Sequence, residues 1–166
     1  GPRSPELILA RHFLEPIAAA DLVEGEGTLL DLGSGNGFPA IPLAILNPRI
    51  RLILVEASEK KSAFIWTVVR EVGLNAAQVV TRRVCRRADL SEFLPIRWLT
   101  FRGVKVEELV AGPGPDLLVA GGRMLAFVSE DEARGLAKRR PGGLVWKESR
   151  ALPRSPGDVV AVFEPA

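Results

Sequence analysis

The sequence predicts an α/β fold: a seven-stranded, mostly parallel sheet whose last strand is antiparallel, with helices on both faces. Three observations carry this. First, "TLLDLG" (28–33) and "IRLILVEAS" (50–58) are short apolar runs without alternation, the pattern of strands buried on both sides. Second, a helical pattern follows each at once, so right-handed crossovers keep successive strands parallel. Third, only "RALPRSPG" (150–157) separates "GLVWKES" (143–149) from "DVVAVFE" (158–164). That is too short for a helical crossover, so these two strands pair antiparallel at one edge.

The elements follow in order. Gly1-Pro2 reads as a remnant of tag cleavage and carries no weight. Residues 3–28 form an N-terminal helical region: Ser4-Pro5 is an N-cap followed by proline, opening a helix through about Leu14 that Pro16 kinks or restarts. After the first strand and its glycines, "FPAIPLAILN" (38–47) keeps both prolines in the first helical turn, where a missing N–H costs little. "SEKKSAFIWTVVREVGL" (58–74) is the second helix, stopped at Gly73. Further strands are expected at 77–83, 96–101 and 123–129, and helices near 88–94, 104–111 and 130–140. No repeat or linker divides the chain, so 1–166 is read as one domain.

Bulk composition excludes several classes. The chain is 47% apolar, which argues for a packed core, and its net charge of +2 means that any basic footprint is local. One cysteine and one histidine cannot supply a disulfide framework or a Cys/His zinc cage. No apolar run approaches the roughly 18 residues of a membrane helix, and the reading is an intracellular protein.

The chemistry centres on "LLDLGSGNGFPAIPLA" (29–44). Gly33, Gly35 and Gly37 lie on the first strand-to-helix turn, which faces the crevice where open parallel sheets bind ligands. Lacking Cβ, they accept positive φ and close ligand approach. The spacing is G-x-G-x-G; the dinucleotide fingerprint needs glycine where Phe38 stands, which disfavours NAD. Glu56 ends the second strand about 20 residues on, where an acid can accept hydrogen bonds from both hydroxyls of an adenosine ribose. A purely structural turn beside an acid capping the next helix fits the same residues. Asp31 sits inside an apolar strand and needs a donor. A ligand's ammonium group and the N–H groups of the glycine turn both qualify.

Basic residues cluster twice: "RRVCRR" (82–87) holds Arg82, Arg83, Arg86 and Arg87, and "KRR" occupies 138–140. They suit RNA phosphates, and also an ordinary solvated face. Lys60 and Lys61 open a helix, a poor position for cations, which favours ligand or RNA contact. Trp66, Trp98 and Trp146 fall on core-forming elements and read as packing residues.

"DLGSGNGFPAIPLAI" together with "VEASEKKSAFI" resembles the bacterial 16S ribosomal RNA guanine-N7 methyltransferases, the glucose-inhibited division protein B family. Those enzymes carry a GSG-x-GFPG-IPLA block, an acid, and a KK-x-x-FL segment matched by Lys60, Lys61 and Phe64. "RHFLEP", "TFRG", "AGGRMLAF" and the late "ALP" extend the likeness over nearly the whole chain. The resemblance implies a Rossmann-like class I methyltransferase fold with S-adenosylmethionine as donor and S-adenosylhomocysteine as product. The acceptor would be a guanosine N7 of 16S rRNA or the small ribosomal subunit, in the cytoplasm, with no metal and no membrane. Asp31, Gly33, Ser34, Gly35, Gly37, Phe38, Glu56 and Ala57 would face the donor, and Val84 and Cys85 its adenine. Arg102 would act at the target base, and Lys60, Lys61, Arg82, Arg83, Arg86 and Arg87 on RNA. Guanine N7 has a lone pair and no proton, so its methylation needs alignment more than a general base. His12 is accordingly read as a packing residue.

The chain departs from the family at Pro16, Ala40, Cys85 and Arg97, and only 11 residues precede His12. These departures leave two rivals: a methyltransferase of another RNA or small molecule, and a catalytically silent nucleoside- or RNA-binding module.

Overall fold

A computed structural model describes residues 4–106, 110 and 116–166. Seven strands form one sheet in the order β3-β2-β1-β4-β5-β7-β6. They are β1 (Gly27–Leu32), β2 (Ile50–Glu56), β3 (Gln78–Thr81), β4 (Ile96–Arg102), β5 (Leu118–Ser129), β6 (Val145–Ala151) and β7 (Asp158–Glu164). The pairs β1–β2, β2–β3, β1–β4 and β4–β5 are parallel. β7 runs antiparallel to both β5 and β6. The expected terminal pair is therefore present, with β6 on the edge and β7 inserted beside β5.

Apolar residues of one strand parity face one layer and those of the other parity face the opposite layer, which is why these strands read as unbroken apolar runs. Leu30, Leu32, Val55, Leu99, Phe101 and Met124 pack with Ala133 and Leu136 of α5 (Glu130–Arg139). Leu29, Leu52, Leu54, Trp98, Leu125 and Phe127 pack on the other side. There they meet Leu43 of α3 (Ala40–Leu46), Ile65 and Val69 of α4 (Glu59–Glu71), and Leu22. α4 starts where Ser58 Oγ accepts from Lys61 N–H. It stops at Gly73, φ +77°, where the Gly73 and Leu74 N–H groups close back on Arg70 O and Val69 O.

The N-terminal region is helical to Leu14 and restarts at Pro16 as expected, but its second half is unexpected: after α1 (Pro5–Leu9) comes a π-helical turn (Ala10–Leu14), which leads into α2 (Glu15–Ala18). Pro16 sits in the first turn of α2, where its missing N–H is tolerated. The helix expected at 88–94 is only a 3₁₀ turn, Arg87–Leu90, because Pro95 disfavours helical geometry in the residue before it. β5 begins earlier than 123, at Leu118. The helix expected at 104–111 falls largely outside the described residues. Trp98 is buried as expected, but Trp66 and Trp146 are 53% and 46% exposed and do not pack in the core. No helix among the described residues is long and apolar enough to cross a membrane.

Candidate nucleoside and acceptor site

β1 connects outward to β2 and β3 on one side, and β4 lies on its other side, so strand order reverses between β1 and β4. The crevice outside the carboxyl ends of these two strands is the ligand position of an open parallel sheet. Asp31 and Thr100 face each other across that boundary.

The glycine turn has the expected backbone, with φ +66° at Gly33, +56° at Gly35 and +87° at Gly37. The three differ in what lies above them. A Cβ on Gly33 would meet Val104 Cγ2 at 2.4 Å, and one on Gly37 would meet Ile41 Cδ1 at 2.3 Å. Among the described residues a Cβ on Gly35 would meet only Gly33 O, at 3.7 Å, and these residues leave the space above it open. Gly33 and Gly37 are bare because the fold fills the space; at Gly35 the space is left for something else.

Asp31 is 1% exposed. The turn's N–H groups do not serve it: those of Gly33 and Ser34 bond to Val55 O, that of Gly35 to Glu56, and that of Gly37 to Ser34 O. That reading of the sequence is corrected. Thr100 Oγ1 donates instead to Asp31 Oδ1 at 2.6 Å, and Oδ2 has no hydrogen-bond partner among the described residues. Burial pushes the Asp31 carboxyl up to about 7, against opposing effects of Thr100, Ser34 and Arg102. A buried acceptor with no partner, next to a cradle without Cβ, is what a cationic donor group would complete.

Glu56 is 7% exposed and ties the turn to the start of α4. Its Oε2 accepts from Gly35 N–H at 2.8 Å and its Oε1 from Ser58 N–H at 2.9 Å. Each carboxylate oxygen keeps a second lone pair, so these bonds orient the group without exhausting it. Ala57, beside it, is exposed. Phe38 leaves the turn sideways: His12 stacks on its ring at 4.3 Å between centroids, and Phe13 meets it edge-on at 5.6 Å. Desolvation first, then Arg102 and Arg11, lowers the His12 pKa, which suits the packing role expected of it.

After β3, Val84 packs half-buried against the core and Cys85 is exposed. Asp89 gathers this loop, its Oδ2 accepting from the N–H groups of Cys85 at 3.0 Å and Arg86 at 3.1 Å. The arginine cluster divides. Arg82 is committed to Asp89 O and to Glu92, and Arg87 to Val110 O. Arg83 projects from the surface, as do Lys60 and Lys61, while Arg86, also exposed, pairs through Nε with Asp89 Oδ1 at 3.2 Å.

Arg102, at the end of β4, shares its sheet face with Trp98 and Thr100, since alternate residues point the same way. Its Nη1 donates to Arg11 O at 3.1 Å, its Nη2 pairs with Glu15, and its guanidinium lies 5.1 Å from the Phe127 ring centre. A cleft of about 170 Å³ opens beside it, lined by Arg11, Phe127, Ser129, Glu132 and Asp158. Larger hollows, of about 420, 430 and 350 Å³, lie away from the glycine turn, one against Leu117 and Gly142, one between α5 and Trp146 and one against Trp66 and Arg70. No group of three or more metal-ligating side chains occurs among the described residues.

Thr100, Glu15 and Ser155 escape the sequence reading. Thr100 left a signal, a lone hydroxyl in an apolar strand with the parity of Trp98. Glu15 and Ser155 meet only through the tertiary fold.

Comparison with known proteins assigns the lineage. The family model described as rRNA small subunit methyltransferase G matches residues 1–141. The chain belongs to this family. It is 34% identical over 140 residues to the ribosomal RNA small subunit methyltransferase G of Mycolicibacterium gilvum, an alignment covering 84% of this chain and 61% of that one. The chain thus spans about 60% of the length of this curated relative. Among solved structures, it superposes on Aeropyrum pernix fibrillarin in complex with natively bound S-adenosyl-L-methionine with a TM-score of 0.67 and 20% identity. That match covers 89% of this chain and 73% of the other. Against M. capricolum TrmK in complex with S-adenosylhomocysteine the TM-score is 0.70 at 11% identity, covering 93% and 69%. At these identities the likeness is one of fold, that of the class I methyltransferases, as family membership leads one to expect.

Proposed function

We propose that this member of the family binds S-adenosylmethionine at the glycine turn and methylates N7 of a guanosine in 16S rRNA. One observation carries the donor assignment: the buried Oδ2 of Asp31, without a partner among the described residues, at the point where strand order reverses. An amino-acid ammonium group would supply its missing donor. Gly35 leaves room for close approach, Ser34 and Gly37 keep the turn's shape, and Glu56 offers its remaining lone pairs to a ribose diol. Phe38, Ala57, Val84 and Cys85 would border the nucleoside. The donor supplies a methyl group activated on a sulfonium sulfur.

The chain's own work is alignment. N7 attack requires no proton removal, in keeping with a site whose histidine is stacked on Phe38 and held toward its neutral form. Arg102, beside the cleft at the ends of β4 and β5, would orient the target base. Lys60, Lys61, Arg83 and Arg86 would meet phosphates, while Arg82 and Arg87 chiefly hold the loop between them. A ribosomal acceptor implies a cytoplasmic setting.

The test is radiolabelled methyl transfer to undermethylated 30S subunits and free 16S rRNA, with the product mapped by mass. N7-methylguanosine at one rRNA position is expected. Label appearing only on other RNAs or small molecules would reassign the acceptor, and donor binding without any transfer would favour the silent module.

A further inference from the structure

The seating of Arg102 begins with a proline. In the π-helical turn the Glu15 N–H bonds to Ala10 O, and Pro16 has no N–H to give to the next carbonyl, so Arg11 O lacks a helical donor. Arg102 Nη1 takes that place at 3.1 Å. Its Nη2 pairs with Glu15, which is 1% exposed, and the other Glu15 oxygen accepts from Ser155 Oγ in the β6–β7 loop. Arg11 closes the ring through its ion pair with Asp158, 3.2 Å. The β6–β7 loop and the start of β7 thus brace, through Glu15 and Arg11, the two groups that hold the Arg102 guanidinium. Its charge lies close to the donor side: Arg102 follows Thr100 by two residues on the same face of β4, and Thr100 faces Asp31 across the sheet and donates to its Oδ1 at 2.6 Å.

Resting on the reading of a sulfonium methyl donor at the glycine turn, we propose that Glu15 is a positioning residue. Held by Ser155, it aims Arg102 at the cleft beside Phe127 and offsets the guanidinium's charge toward the cationic donor. A carboxylate that only stabilised the fold would not distinguish the sulfonium compound from its neutral thioether product, because both share every other group. A carboxylate that offsets Arg102 would, since an uncompensated cation acts alike on the ammonium and carboxylate that both compounds carry and in addition repels the sulfonium of the first.

The experiment compares S-adenosylmethionine and S-adenosylhomocysteine by titration calorimetry, and turnover on 16S rRNA, for the wild type, Glu15→Gln, Ser155→Ala, Arg102→Ala and Glu15→Gln/Arg102→Ala. Glu15→Gln should weaken the sulfonium compound about three- to tenfold, as expected for an uncompensated nearby charge, while the thioether changes by less than about twofold. It should lower kcat about tenfold or more and leave the KM for RNA nearly unchanged. In the Arg102→Ala background it should have almost no further effect on kcat, because it acts through that arginine. Ser155→Ala should move both readouts in the same direction by a smaller factor. Equal weakening of both compounds, or an undiminished kcat effect without Arg102, would overturn the assignment. Should Glu15→Gln fail to fold, Ser155→Ala decides, and wild-type values for it would overturn the assignment as well. If the wild type binds the donor but methylates no rRNA, the acceptor reading fails while the affinity ratio still judges Glu15.

Discussion

Replacing Asp31 by asparagine should stabilise the ligand-free protein at alkaline pH while weakening it as a methyl-donor binder. The carboxyl has an ordinary value of 3.8 and burial raises it to about 7. In the folded state it therefore holds a proton that the unfolded chain has already released, and linkage makes stability fall as pH rises between those two values. From pH 5 to pH 8 the loss is about 3 kcal/mol, at about 1.4 kcal/mol for each pH unit below 7. The substituted side chain keeps the Thr100 hydrogen bond and carries no charge, so this loss should vanish in Asp31→Asn. Urea unfolding of both proteins at pH 5 and pH 8 isolates the effect, because other titrating groups cancel in the difference of differences. The variant should gain about 3 kcal/mol on the wild type between the two pH values. Its affinity for S-adenosylmethionine at pH 8 should fall by about 1–3 kcal/mol, the cost of an unpaired buried polar group. Parallel stability curves would refute the argument that Asp31 is a buried acid awaiting a cation.

Gly35→Ala should cost only about 1–2 kcal/mol of stability, from positive φ, yet reduce donor affinity at least about tenfold by filling the open space. Gly37→Ala, driven into buried Ile41, should cost about 2–5 kcal/mol, φ strain and overpacking together; urea unfolding and calorimetry separate the two. Glu56→Ala should weaken donor binding by about 1–3 kcal/mol, and an unchanged affinity would remove it from the site. Arg83→Ala with Arg86→Ala should leave donor affinity intact and lower the salt slope of RNA binding by about 0.7–0.9 per lost phosphate contact. An unaltered slope would return these arginines to the solvated surface.

The sheet was legible because parallel strands buried on both faces leave unbroken apolar runs, and each ran within a few residues of its expected bounds except β5. β5 runs on from Leu118 through "VAGG", where glycines argue against a strand by sequence alone. The glycine turn was legible as a place, but its division of labour was not. The fold alone puts Ile41 and Val104 in the space over Gly37 and Gly33 and leaves Gly35 facing the opening. Asp31 demanded a donor on sequence grounds, and Thr100 supplied half of it from the neighbouring strand, a pairing fixed by register. Trp66 and Trp146 misled because helix and edge-strand positions that look apolar can lie on the outward side. Glu15 drew no reading from the sequence; its partners come from β4 and from a loop 140 residues away, which no local pattern encodes.

A crystal structure of the chain with S-adenosylhomocysteine tests the central claim most directly. The amino group is expected within hydrogen-bonding distance of Asp31 Oδ2, about 2.7–3.2 Å, with the main chain of Gly35 against the ligand and the ribose diol on Glu56. The ligand seated elsewhere, with Asp31 Oδ2 still unpartnered beneath a closed turn, would contradict it.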